Sequence, residues 1–271
     1  LFAATLTATC LVAGILVPEP ARAAPPPRQP CPESRDTAVL ASAAAGACGG
    51  RVEVAAARSE RAQVFANADG SFTSVQAAVV QRVRAADGSW VRPDATLRAG
   101  AGGGYVPMAA ALDMSFSGGG ATPLATIRHG QSKLALRWPG VLPAPVASGH
   151  VLTYPEVLPG VDLAVTADIE GFGETLVVKT PQAAQSRELA AVRLVIESEG
   201  LTLREGERDS LTAVSASGQI LFGSGTPMMW DSAGSEPGSA AGPGEGAAVA
   251  AMPLEVKDST VTVRPDQGLL T

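Results

Sequence analysis

Val161-Asp162-Leu163-Ala164-Val165-Thr166 sets Val161, Leu163 and Val165 against Asp162, Ala164 and Thr166. That is the two-residue period of a strand with one buried face. Outward from this stretch the same period recurs on both sides. Val52 and Val54 alternate with Arg51 and Glu53, while Leu134, Leu136 and Trp138 alternate with Lys133, Ala135 and Arg137. Val192, Leu194 and Ile196 are set against Arg193 and Glu197, and Val261 and Val263 lie between Thr260, Thr262 and Arg264. The pattern predicts an all-β fold: an antiparallel, β-sandwich-like domain over 51–271, built from successive hairpins.

Turn chemistry points the same way. Ala68-Asp69-Gly70-Ser71-Phe72 recurs as Ala86-Asp87-Gly88-Ser89-Trp90, and each Asp-Gly pair is expected to form a two-residue hairpin turn. Two copies are too few for a solenoid. His129-Gly130 is expected to turn a third hairpin, and Gly171-Phe172-Gly173 a fourth between Val161–Asp168 and Glu174–Lys179. Within this domain only Gln185–Ala191 reads as briefly helical. The run 233–248, AGSEPGSAAGPGEGAA, offers no aromatic or β-branched residue to bury and is expected to be a disordered insertion. Leu254–Thr271 supplies about two strands, too few to stand alone, so the insertion is read as a loop inside the domain.

Leu1–Val17 is apolar and uncharged, and Pro18 and then Ala21-Arg22-Ala23 follow it. This reads as a signal peptide over 1–23 whose charged n-region is missing. The run stops short of the ~20 residues a span needs, so no stable membrane span is expected after cleavage. Residues 24–50 form a Pro/Ala-rich leader, with a short helix expected from a Ser34 cap through Arg35–Ala47 and a stop at Gly49 and Gly50. Cys31 and Cys48 form an even pair in an exported chain, which suggests a disulfide. A full helix would hold its ends ~20 Å apart, whereas a bridge needs Cα atoms within about 7 Å, so the two cannot both be complete. The bridge is favoured, since Cys31 lies outside the helix. The ending Gly268-Leu269-Leu270-Thr271, without turn or tail, is read as a C-terminal truncation.

Composition excludes some chemistries. The net charge is −6, and without a run of Lys or Arg there is nothing to track a phosphate backbone, so no nucleic-acid partner is expected. His129 and His150 are the only histidines, both beside turn glycines, and no G-x-S-x-G elbow accompanies them. Asp162, Asp168, Glu170 and Glu174 surround one hairpin and share a face by parity. Carboxylates so placed suit glycan cleavage or Ca²⁺ binding, yet a solvated face that guards a sheet edge explains them as well. Gly100–Gly104 and Gly118–Gly120 lack the Lys and the helix start of a phosphate loop and read as turns. Trp90, Trp138 and Trp230 read as core or strand-end anchors. No catalytic residue, cofactor or metal ligand is assigned.

Trp138-Pro139, Leu142-Pro143, Tyr154-Pro155, Val157-Leu158-Pro159-Gly160-Val161-Asp162-Leu163, Gly171-Phe172, Val177-Val178-Lys179, Gly200-Leu201 and Met229-Trp230-Asp231-Ser232 form a further pattern. Together they resemble the N-terminal β-rich region of large secreted actinobacterial proteins of laminin-G-like jelly-roll or YD-repeat (RHS) type. The resemblance covers about Cys48–Thr271, and Tyr154–Leu163 is its most specific part. Glu207-Arg208-Asp209-Ser210 departs from it, since the family tends to a Gly-containing hairpin there, and this puts the register of the Leu203 and Leu211 strands in question. The resemblance implies a non-catalytic extracellular module, secreted or wall-associated, that scaffolds or presents downstream binding or toxin domains. Its partners would be those domains and, through them, extracellular or cell-wall glycans. The alternatives are a secreted carbohydrate-active enzyme using the paired carboxylates and an autonomous adhesion module.

Overall fold

The computed structural model describes residues 29–233, 238–240 and 242–270. The segment expected to be a signal peptide lies outside them. Strands dominate, and among the described residues only Ala38–Cys48 and Pro181–Ala184 are α-helices. The fold is all-β, antiparallel and sandwich-like. No helix among the described residues is long and apolar enough to cross a membrane. Two compact units divide the chain: one takes the residues up to Ala56 together with Val64–Thr73, the other Ala57–Gln63 and everything from Ser74 on.

In the first unit, Ser34–Arg35 pairs in parallel with Glu53–Val54, and the helix Ala38–Cys48 is the crossover between them. Thr37 caps this helix instead of Ser34: its backbone is extended, and the Leu40 N–H donates to Thr37 Oγ1 at 3.3 Å. At the other end Gly49, at φ 75°, donates its N–H to the Ala45 carbonyl. The crossover resolves the conflict between helix and bridge. Cys31 precedes the first strand, so it sits at the end of the unit where the helix finishes, and it bonds Cys48 across a Cα–Cα distance of 5.2 Å. Ala41 and Ala45 of the helix pack with Val52, Val54 and Ala66. The boundary expected at residue 51 therefore runs through a packed cluster.

The second unit holds two principal sheets. Spatial order in the larger one is Leu254–Lys257, Thr260–Val263, Val192–Glu199, Ser132–Arg137, Ala125–His129, Asp113–Phe116, Tyr105–Ala109, Asp94–Ala99. After Arg137 the chain leaves it to build the smaller sheet as a meander of Val146–Ser148, Val151–Leu158, Val161–Ala167 and Phe172–Val178. It then returns with Val192–Glu199, which the terminal hairpin flanks. In Val161–Ala167 the residues Val161, Leu163, Val165 and Ala167 are all buried, as the alternation predicts, but Ala164, expected on the outer face with Asp162 and Thr166, is buried as well. Met114, Phe116, Ile127, Leu136 and Ile196 of the large sheet share one core with Leu152, Tyr154, Leu163 and Val165 of the small one. Each fully buried aliphatic side chain contributes roughly 1.5–3 kcal/mol. Phe116 and Phe172 meet edge to face, with centroids 5.7 Å apart.

Several turns differ from expectation. The two Asp-Gly loops hold three residues: Asn67 N donates to Ser71 O and Gly70 N to Asn67 O, and only Gly70 (φ 85°) is left-handed. Ala85–Ser89 repeats this with Gly88 at φ 81°. That is a type I turn closed by a left-handed glycine. His129 is the last residue of its strand, and Gly130-Gln131 form the loop. In the fourth hairpin the loop is Asp168–Gly171, so Phe172 and Gly173 belong to the strand. Gln185–Ala191 holds one 3-10 turn, Arg187–Ala190, and the α-helix lies just before it, where Thr180 caps and Pro181 opens. The Glu207–Ser210 loop still closes a regular hairpin, Leu203 facing Ala213 and Glu205 facing Leu211, with Arg208 (φ 54°) and Asp209 (φ 56°) in glycine-like geometry.

Within 233–248, the described residues include a Ser239–Gly242 bridge and a hydrogen bond from Thr175 Oγ1 to the Ala240 carbonyl.

Candidate functional site

The structure does not bring the four acidic candidates together on one face. Ala167 pairs with Phe172 across a four-residue loop, so even-numbered residues of one strand lie opposite odd-numbered residues of the other. Asp162 faces Val177 and Glu174 faces Val165, which puts the two carboxylates on opposite faces of the sheet. Asp168 and Glu170 belong to the loop. The Asp168 carboxylate accepts from the next backbone N–H, and Glu170 pairs with Arg61. Desolvation by the surrounding protein pushes the Glu174 carboxyl up, to about 7. Glu174 is nevertheless exposed, and water at the carboxylate argues for a smaller displacement.

A different polar cluster is assembled instead. Between Tyr154 and Leu158 the register of the strand slips, because Pro155 cannot donate to the ladder and Glu156 adopts a left-handed φ of 53°. Asp162 closes this bulge, its Oδ1 accepting from Glu156 N at 2.8 Å and from Lys179 Nζ at 2.7 Å. Glu156 Oε2 in turn accepts from Gly160 N at 2.7 Å, and its Oε1 accepts from Lys179 Nζ. The Lys179 ammonium, helped by these backbone donors, holds the Asp162 and Glu156 carboxyls below their ordinary values. The carboxylates push Lys179 up in return. At neutral pH all three are charged, and their hydrogen bonds fix a bulge and its turn.

Sequence reasoning singled out Asp162 but missed Glu156 and Lys179 as its partners. The available signal was Pro155 inside an otherwise strand-like run, which marks a bulge whose freed amide needs an acceptor.

Tyr154 supplies a second polar link. Its ring is fully buried, and its O–H donates to the Ser117 carbonyl at 2.7 Å. Burial pushes the phenol well above its ordinary pKa. Ser117 leads into Gly118–Gly120, and a side chain on Gly118 would strike the Gly103 carbonyl. The two glycine-rich runs therefore meet at close backbone approach. His129 and His150 are exposed at their hairpin ends. Trp138 is buried in the core, Trp230 pairs with Val249, and Trp90 lies beneath the Arg84 guanidinium. Among the described residues no group of three or more His, Cys, Asp or Glu is placed to hold a metal ion. The chain matches no family model, no curated protein and no solved structure.

Proposed function

We propose that this chain is a non-catalytic extracellular β module that scaffolds the domains attached to it in a larger secreted polypeptide. One observation carries the reading: Asp162, the most enclosed of the candidate carboxylates, is committed with Glu156 and Lys179 to bracing a hairpin. The Cys31–Cys48 bridge suits an oxidising compartment.

The test compares the full natural polypeptide with a version lacking 29–270, reading secretion yield and protease resistance of the attached part. The scaffold reading expects both to fall on deletion. Unchanged yield and resistance would sink it. Release of reducing sugar from wall polysaccharides that D162N or E174Q abolishes would replace it with the enzyme reading.

A further inference from the structure

Phe172–Val178 is the last strand of the smaller sheet. The hairpin bonds show which of its backbone groups look outward. Asp168 N donates to Gly171 O at 2.8 Å and Lys179 N to Gly160 O at 2.9 Å, so the odd-numbered residues between Gly171 and Lys179 bond Val161–Ala167. The N–H and C=O groups of Phe172, Glu174, Leu176 and Val178 point away from the sheet, and among the described residues no other residue bonds them. The Ala240 carbonyl meets this strand through the Thr175 hydroxyl, on the outer face. The other ends of the two principal sheets are closed or short. Leu97 N donates to Gly149 O and Val256 N to Glu205 Oε1, each at 2.8 Å, while Val146–Ser148 has three residues.

An open edge of this length takes another strand, because only an extended backbone offers donors and acceptors at the matching spacing. A second copy of the chain presents the same free groups, so one isologous contact serves both. Pairing about a two-fold axis at Leu176 sets Glu174 opposite Val178, Thr175 opposite Val177 and Gly173 opposite Lys179. No like charges meet in that register. Neither Pro nor Lys interrupts the strand, and Val177 is 41% exposed.

Glu174 is the one charge in Phe172–Val178, and it lies on the inner face opposite Val165. Its inner-face neighbours on the adjacent strand are Leu163, Val165 and Ala167, and the helix Pro181–Ala184 beside the strand has no titratable group. Phe116 meets Phe172 across the core, and Asp113 of the Phe116 strand emerges on the far face. Asp168 and Glu170 belong to the loop, and Lys179 is turned to the outer face with Glu156 and Asp162. Desolvation pushes the Glu174 carboxyl up, and no neighbouring charge takes part. A strand laid alongside encloses it further, which disfavours the ionised form.

We propose that two copies of this chain join edge to edge through Phe172–Val178, antiparallel about a two-fold axis at Leu176, and that the charge on Glu174 opposes the joining. The dimer then takes up a proton that the charged monomer lacks, so acid strengthens the pairing. This pairing does not depend on the scaffold reading.

Sedimentation of the full chain over a concentration series, at about pH 8 and about pH 5.5, provides the test. Dimerisation should tighten at least about tenfold at the lower pH. E174Q should dimerise equally at both, which separates Glu174 from His129 and His150. In the dimer, amide hydrogen exchange should slow at Glu174, Leu176 and Val178 and stay unchanged at Gly173, Thr175 and Val177. A side chain at Gly173 meets no atom of its own chain. G173K, which opposes Lys179 of the second copy, should weaken the dimer about fivefold, and G173E should tighten it by a similar factor. A chain that is monomeric at the lower pH, a pH dependence that survives E174Q, or G173K and G173E behaving alike would each overturn the proposal. Slowing of the three amides in a monomeric sample only when a capped Thr-Val repeat peptide is added would assign the edge to a foreign strand and overturn the second copy.

Discussion

Tyr154 reaches from the smaller sheet to a carbonyl at the end of the Asp113–Phe116 strand, so one hydroxyl ties the two layers of the sandwich. Tyr154→Phe keeps the ring and leaves the buried Ser117 carbonyl without its donor. The expected cost is about 1–3 kcal/mol, read as a lower urea midpoint; an unchanged midpoint would show that the hydroxyl contributes nothing. The Glu156–Asp162–Lys179 cluster predicts a pH profile. Both carboxyls are depressed in the folded state, so their contribution is full above the ordinary values of 4.5 and 3.8 and is lost as pH falls through the folded values. Lys179 is raised above 10.5, so its contribution is full below that and is lost as pH rises through its folded value. Lys179→Met should therefore be less stable than the parent across neutral pH, and the gap should close as pH drops below about 4. A gap that stays constant down to pH 2 would rule out the ion pairs as its source.

Among the elements, turns carry the clearest strain. Arg208, Asp209 and Asp258 all hold positive φ, a conformation that costs a side-chain-bearing residue about 1–2 kcal/mol and glycine almost nothing. Asp209→Gly and Asp258→Gly should each stabilise the protein by about 1 kcal/mol, seen as a higher melting temperature. A lower one would mean that these side chains hold their loops. The Asp-Gly hairpins were legible in sequence as positions but not as turn types. A loop counts two residues or three according to where the last cross-strand pair closes, and the neighbouring strands set that. The same limit explains the acidic cluster: parity runs unbroken along one strand, but the length of the Asp168–Gly171 loop inverts it in the next.

For the whole molecule, the Cys31–Cys48 bridge spans 17 residues of sequence and closes a small unit whose buried cluster is mostly Ala and Val. Cross-linking a loop of that size contributes about 3 kcal/mol. Reduction, or Cys31→Ser with Cys48→Ser, should speed amide hydrogen exchange across Ala41–Cys48 about a hundredfold; unchanged exchange would mean that packing alone holds the helix. Amino-acid order alone makes Val161–Thr166 and its counterparts strands, the fold all-β, and the stretch before residue 50 helical. Period and propensity are properties of a short stretch of backbone, and a residue carries them wherever the chain goes. Packing in three dimensions sets the rest: Val192–Glu199 enters between Ser132–Arg137 and Thr260–Val263, Thr37 displaces Ser34 as the cap, and Lys179 meets Glu156 and Asp162. Those outcomes depend on register and on the burial shared by distant segments, where one residue more or less in a loop reverses the face on which a side chain emerges.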